Sequence, residues 1–278
     1  MGTLCQSAEL MQDARRRGYA VPAYDTFNYE TTRMVFNAAE AARTPVIIMY
    51  YADYYMPMQT FADMVKDLGR RSAVPFALHL DHSPDFDTCL QAIKTGFTSV
   101  MIDASKLPFE DNIKATREVV RAAHAMGIDV EGELGMVGRE EAVNRGLFTQ
   151  PEEAARFVEA TGIDTLAVAI GNSHGVYIDE PELDIPLLQS IHEATDAPLV
   201  LHGTSMIPVD QLKEAVRHGI TKTNIATEYL MEYANVMVNL CQDKPRTIMQ
   251  LLHGAHQPVT DFIAAKMAIL NPDQIAIF

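Results

Sequence analysis

A chain of 278 residues that is 48% hydrophobic and 21% charged is long enough to bury a large core and reads as a soluble globular protein. Its formal net charge of −15 argues against nucleic acid or an anionic membrane surface as partner. A phosphorylated small molecule stays open, because backbone amides hold phosphate without bulk positive charge. Cys5, Cys89 and Cys241 are odd in number and show no CxxC spacing. Residues 1–6 lack a basic and then apolar leader, and no stretch is apolar for the length of a membrane helix. A reducing, cytoplasmic setting is therefore expected.

Taken in order, apolar strand-like runs alternate with helical patterns. Residues 19–24 form the first predicted strand, followed by a helix over about 30–42; residues 45–50 form the second, followed by a helix near 59–70. Residues 76–82, Phe-Ala-Leu-His-Leu-Asp-His, lie between Pro75 and Pro84, breakers that bound a third strand before a helix across 86–94. Residues 99–103 make a fourth and lead into a long helix to 126, on which Ile113, Val119, Val120 and Ala123 share one face. The fifth, 129–134, is the most polar. A loop with three glycines covers 135–150, and Pro151 opens a helix where its missing N–H costs nothing. Strands over 166–171, 198–201 and 221–226 alternate with helices near 187–194 and 208–218, and about 228–278 is helical. Eight strand–helix units without a composition break predict one domain over 1–278, a (β/α)8 TIM barrel with a C-terminal helical extension. An open doubly wound sheet is the other α/β arrangement, but no GxGxxG follows the first strand.

Barrel enzymes carry their chemistry where strands end at the C-terminal face. Collected there are Asp81, His82, Asp103, Glu131, Glu133, His174, His202 and Asn224. Three histidines at or just after three strand ends favour a shared metal site over three separate core residues. Imidazole is a neutral zinc ligand, and three protein ligands with an open position mark a catalytic zinc. His79 and the remaining five histidines lack this placement and are expected to be structural. The carboxylates either orient the histidines or occupy a second metal position, and for Asp103 and Glu133 a salt bridge in the barrel mouth stays open. The turns Gly203-Thr204-Ser205 and Asn224-Ile225-Ala226-Thr227, the second opening a helix, suit phosphate.

With these residues in this order the sequence resembles the class II, zinc-dependent fructose-bisphosphate aldolase family, closest to its tagatose-bisphosphate aldolase branch. The likeness runs over about 20–228 and rests on residues 79–82, 96–103, 131–135, 166–171 with His174-Gly175, 199–203 and 224–228. The resemblance implies a carbon–carbon lyase that reversibly splits a ketose phosphate, such as fructose or tagatose 1,6-bisphosphate, into dihydroxyacetone phosphate and an aldehyde. It implies His82, His174 and His202 as ligands of a catalytic Zn²⁺, with Asp103 and Glu133 at positions that hold a second divalent or a monovalent cation in relatives. By the same implication Asp81 is the acid/base at the substrate C4 hydroxyl, and Glu141 moves the proton at the donor ketone. Gly175, Gly203, Thr204, Ser205, Asn224, Ile225, Ala226 and Thr227 fall at the dihydroxyacetone-phosphate contacts. The implied partner is a small sugar phosphate, not nucleic acid or membrane, and the implied assembly is a homodimer or homotetramer. Two alternatives stay open: another ketose monophosphate or a deoxy-keto-gluconate phosphate as substrate, or a catalytically inactive metal-binding paralogue or partner subunit.

The chain departs from the resemblance in places. Gly203-Thr204-Ser205-Met206 stands where relatives read Gly-Gly-Ser-Gly, so a narrowed cradle and a lost φ > 0 position are expected. The Thr204 hydroxyl is expected to give phosphate one further hydrogen bond. Gly138-Arg139 replaces a Gly-Gly. Beyond Glu228 the likeness fades, and Lys244, Arg246 and Lys266 match no position in it.

Overall fold

A strand buried on both faces must be covered by helices outside and filled from within, and this chain does both. The computed structural model describes residues 2–51, 56–139, 147–177, 180–242 and 244–278. Its strands are β1 (Val21–Asp25), β2 (Val46–Tyr51), β3 (Phe76–Ser83), β4 (Ser99–Ile102), β5 (Asp129–Leu134), β6 (Gly138–Arg139), β7 (Thr165–Val168), β8 (Ser173–His174), β9 (Leu199–Leu201) and β10 (Ile220–Ile225). Eight of them close a parallel barrel in the order β1-β10-β9-β7-β5-β4-β3-β2, a (β/α)8 TIM barrel, while β6 and β8 pair separately in the loops beyond β5 and β7. The helices are α1 (Ser7–Arg17), α2 (Tyr29–Ala42), α3 (Met58–Arg71), α4 (Phe86–Thr95), α5 (Phe109–His124), α6 (Pro151–Thr161), α7 (Ile185–Ala194), α8 (Val209–Arg217), α9 (Thr227–Cys241) and α10 (Ile248–Ile269). None among the described residues is long and apolar enough to cross a membrane.

Strand periodicity sorts the side chains. On β3, Leu78 and Leu80 belong to the main core with the surrounding helices, whereas Ala77 packs with Ala23, Ile47 and Met49 inside the barrel. On β5, Val130 and Leu134 join the outer core, and Glu131 and Glu133 between and beside them are buried on the other face. The polar character of that strand is thus its inward row.

The first helix, α1, is not among the predicted elements. Its signals are conventional: Glu9 in the first turn, Arg15, Arg16 and Arg17 in the last, and Gly18 closing it at φ 79°. It buries Met11 against Ala167 and Val200 inside the barrel. The predicted strand over 166–171 ends at Val168. The helical C-terminal region resolves into α9 and α10, which pack together, and α10 also packs against α2.

Candidate active site

Neighbouring residues on a regular strand face opposite sides, so Asp81 and His82 could not both enter the barrel mouth from an unbroken β3. The register against β4 slips between the pair Leu80–Val100 and the pair Ser83–Ile102, so residues 81–83 stand opposite 101–102. His82 takes a left-handed backbone there, φ 43°. Such a bulge re-aims side chains, and both residues line one cavity. The conformation costs a non-glycine residue about 1–2 kcal/mol, strain of the kind that persists at functional sites.

His82 Nδ1 lies 3.0 Å from Asp103 Oδ2, and His202 Nε2 lies 2.9 Å from Glu131 Oε1. An ionised carboxylate can only accept, so each of these ring nitrogens carries the hydrogen and the opposite nitrogen presents a lone pair. Those two lone-pair nitrogens, His82 Nε2 and His202 Nδ1, face each other at 2.9 Å. With both rings neutral these nitrogens cannot bond one another; a cation between them, a proton held on His82 or a metal ion, satisfies both. His174 completes the group, with ligand atoms of all three imidazoles within 4.8 Å of one another, and His82, Asp103 and Glu133 form a second set by the same measure. Glu133 Oε2 is buried without a hydrogen-bond partner among the described residues, 4.0 Å from His82 Nδ1 and 3.9 Å from His202 Nδ1.

The charges shape one another. Burial works against charge on His82, but Asp81, Asp103 and Glu133 raise it to about 10. Burial, only partly offset by His82 and reinforced by Asp103, pushes Glu133 up to about 8. Asp81 is buried too, yet the positive charges of His82, His202 and Lys222 hold it below the usual carboxylate range. Its Oδ1 accepts from Asn224 Nδ2 at 2.9 Å, which fixes the carboxylate's orientation.

Beneath the histidines runs a polar column missed in the sequence. Lys222 Nζ donates to Glu131 Oε2 at 2.8 Å and lies 3.4 Å from His79 Nε2, while His79 Nδ1 meets Ser99 Oγ at 2.8 Å. Lys222 and His79 are fully buried. Burial pulls Glu131 toward neutrality, but Lys222 outweighs it and holds the carboxyl well below its ordinary value. Burial and Lys222 push His79 down to about 3, so it is a neutral interior residue. The available signal was phase: Lys222 shares its strand face with Asn224.

A cavity of about 460 Å³ opens over the cluster. Gly175, Gly203, Ser205, Asn224, Ile225, Ala226 and Thr227 line it together with Asp81, His82 and His174. Gly203 is required: its φ is 59°, and a Cβ there would lie 2.1 Å from the Ser173 carbonyl oxygen. Ala226, ahead of α9, supplies no side-chain cap; the Glu228 N–H of that first turn donates to Ser205 Oγ at 3.2 Å, and a helix start of this kind suits an anion. Thr204 differs from its expected placement. It is fully buried and its hydroxyl donates to the Asn224 carbonyl at 2.7 Å, so it braces β9 against β10 instead of reaching into the cradle. The φ > 0 position is not lost either: Met206 holds φ 64°, and its N–H donates to Glu228 Oε2 at 3.1 Å.

Two further cavity residues, Asp25 and Tyr51, escaped the sequence reading. Asp25 ends β1 as Asp81 nearly ends β3. Burial, reinforced by Asp81, raises its carboxyl well above the usual range, and Oδ1 is buried without a hydrogen-bond partner among the described residues. Glu141 and its neighbour Glu140 lie outside the described residues; Arg139 pairs by its backbone with His174.

An acid and three convergent imidazoles at the C-terminal mouth mark a metal-binding (β/α)8 enzyme. The family profile described as "Fructose-bisphosphate aldolase class-II" matches residues 5–274. The chain is 40% identical over 251 residues to the fructose-bisphosphate aldolase of Geobacillus stearothermophilus, spanning 87% of this chain and 88% of that one. It therefore belongs to the class II fructose-bisphosphate aldolase family and is a lyase of that class. Among solved structures, the YdjI aldolase of Escherichia coli K12 matches with a TM-score of 0.88 at 35% identity, over 98% of this chain and 99% of that one. The fructose-bisphosphate aldolase of Campylobacter jejuni shares the fold at 23% identity, with a TM-score of 0.82 over 97% and 96% of the two chains.

Proposed function

We propose that this protein reversibly cleaves a ketose phosphate, such as fructose or tagatose 1,6-bisphosphate, to dihydroxyacetone phosphate and an aldehyde, with Zn²⁺ as its resident metal. The observation that carries the reading is the 2.9 Å approach of His82 Nε2 and His202 Nδ1, each ring committed to a carboxylate on its other side. His82, His174 and His202 would hold the zinc, and Asp103 and Glu133 offer oxygens for a second divalent or a monovalent cation. Bound there, zinc supplies a Lewis acid for the negative charge that develops on the donor ketone.

The chain's own groups do the rest. Asp81, held ionised by the positive charge of the site and oriented by the Asn224 amide, takes the C4 hydroxyl proton. The C3–C4 electron pair passes to the donor half as the aldehyde forms. Protonation of the donor at C3 falls to Glu141 in this reading. Gly175, Gly203 and Ser205, with the turn from Asn224 to Thr227, cradle the donor phosphate through backbone amides.

Chelator-treated protein, assayed for dihydroxyacetone phosphate release across a panel of ketose phosphates, should lose activity and regain it with Zn²⁺ or Co²⁺. Full activity of metal-free protein would remove the reading. Borohydride with substrate should not inactivate; a trapped lysine adduct would mean Schiff-base chemistry instead. A ketose monophosphate is the second reading, favoured by Asp25. An acidic side chain lining the cavity near Asp81 suits a hydroxyl on the acceptor half better than a second phosphate dianion. The same panel decides between them.

A further inference from the structure

The last helix reaches back to the phosphate turn through one nearly buried ion pair. Lys266 on α10 is 8% exposed. Its Nζ lies 2.9 Å from Glu228 Oε1 and 3.2 Å from Oε2, and it donates to the Thr204 carbonyl oxygen at 3.3 Å. Glu228, in the first turn of α9, accepts the Met206 N–H on Oε2 at 3.1 Å and gives its own N–H to Ser205 Oγ at 3.2 Å. The turn after β9, the start of α9 and the far end of α10 are thereby joined at one point.

This arrangement contains a conflict. A carboxylate in the first turn is favoured by the helix dipole, and it gives the strained Met206 amide an acceptor. A phosphate in the cradle would draw on that same dipole, because Ser205, which accepts the Glu228 N–H, and Thr227, next to Glu228 in the chain, line the cavity. Two anions would then share one helix end. Resolving this takes a positive charge that neutralises Glu228 without itself occupying the cradle, and Lys266, absent from the cavity lining, approaches from behind the turn.

We propose that Lys266 is a positioning residue whose charge cancels that of Glu228, so that Glu228 can hold Met206 in its left-handed conformation without repelling the donor phosphate. The inference rests on the aldolase reading above. It differs from a purely mechanical brace in the sign of one effect: under charge cancellation, removing the Glu228 charge helps phosphate, whereas under bracing any break in the network harms it.

The test is isothermal titration of inorganic phosphate into zinc-loaded wild type, Lys266→Met, Glu228→Gln and the double variant, with bound zinc counted in each. Lys266→Met should weaken phosphate at least about tenfold, since it leaves one member of a charge pair uncompensated beside the anion. It should also raise KM for the ketose phosphate more than it lowers kcat. Glu228→Gln keeps an acceptor for the Met206 N–H and should leave phosphate binding unchanged or tighter. The double variant should return to within about threefold of wild type, the coupling expected of residues in one ion pair. Phosphate weakened by Glu228→Gln, or a double variant no better than Lys266→Met, overturns the proposal. If Lys266→Met fails to fold, the direction of the Glu228→Gln shift decides alone. A zinc-loaded wild type that neither binds phosphate nor releases dihydroxyacetone phosphate would defeat the aldolase reading instead.

Discussion

The two ends of the barrel are finished by opposite means. At the N-terminal end α1 lies across the opening, with Met11 against Ala167 and Val200, and Leu10 and Ala14 packed with Ala23, Ile47, Met49 and Ala77. The Ala8 N–H is taken by Asp129 Oδ2 at 2.8 Å. At the C-terminal end the inward residues are Asp81, Glu133 and His202, above the buried pair of Glu131 and Lys222, and the left-handed His82 and Met206 sit there. Glu133 Oε2, Asn224 Oδ1 and Asp25 Oδ1 are buried acceptors without hydrogen-bond partners among the described residues. One end gathers apolar burial; the other carries unsatisfied polar groups and backbone strain that the rest of the fold must offset. A change at the bottom should therefore cost stability and leave chemistry alone, and a change at the top should alter chemistry or relieve strain without costing stability.

The largest separation is expected at Asp81. Asp81→Asn should slow ketose-phosphate cleavage by roughly 10²–10⁴, the span for losing a general acid/base, while bound metal and the unfolding midpoint hold. A variant that keeps its rate would take the proton-transfer role away from Asp81. Next comes Met11→Ala, which empties a fully buried site. Denaturant unfolding should show a loss of about 2–5 kcal/mol, with kcat/KM per folded molecule unchanged. If activity falls with it, the plug and the mouth are coupled and the contrast fails.

A smaller effect tests the strain at the mouth. Met206→Gly relieves a left-handed conformation worth about 1–2 kcal/mol, less the extra freedom glycine has when unfolded, so a gain of about 1 kcal/mol is expected. Thermal unfolding measures it, and a loss would mean that the Met206 side chain contributes more by packing than its backbone costs.

The smallest concerns Asp129 at the bottom. Burial, partly offset by the Ala8 N–H and reinforced by Asp164, raises its carboxyl to about 6. Because the folded value is raised, its contribution favours the fold at pH values below the ordinary carboxylate range and is lost as pH climbs through about 6. Asp129→Asn keeps an acceptor oxygen and removes the titration. It should stabilise the protein at pH 7 by roughly 1 kcal/mol, the titration gain being partly offset by burying the new amide NH₂, and the advantage should shrink toward pH 4. Melting curves of the two proteins that stay parallel across this range would show that Asp129 does not titrate there.

Much of the architecture was legible because its signals are short-range. Breakers such as Pro75 and Pro84, the amphipathic face of Ile113, Val119, Val120 and Ala123, and the alternation of strands with helices all act within a few residues. The candidate ligands His82, His174 and His202 were legible for a related reason: any parallel barrel brings its strand ends together, so position along a strand becomes position in a site. Strict alternation along β3 would have sent Asp81 and His82 to opposite faces, and only the slip against β4 brings them together. The α1 signals, Glu9 early, the arginines late and Gly18 after them, are local as well.

The sequence by itself determined the order of elements, the residue types at each strand end and the family resemblance. The tertiary structure decided which atoms meet. His202 and His82 are 120 residues apart, Glu131 and Lys222 are 91 apart, and Lys266 and Glu228 are 38 apart. Thr204 was assigned to phosphate from its neighbours in sequence, yet β9 lies beside β10, and its hydroxyl found the Asn224 carbonyl instead. Helical and strand periodicity specify which way a side chain faces within its own element. They say nothing of what stands opposite, because that partner is supplied by closure of the barrel, where burial makes every unpaired polar group costly and so selects the pairs.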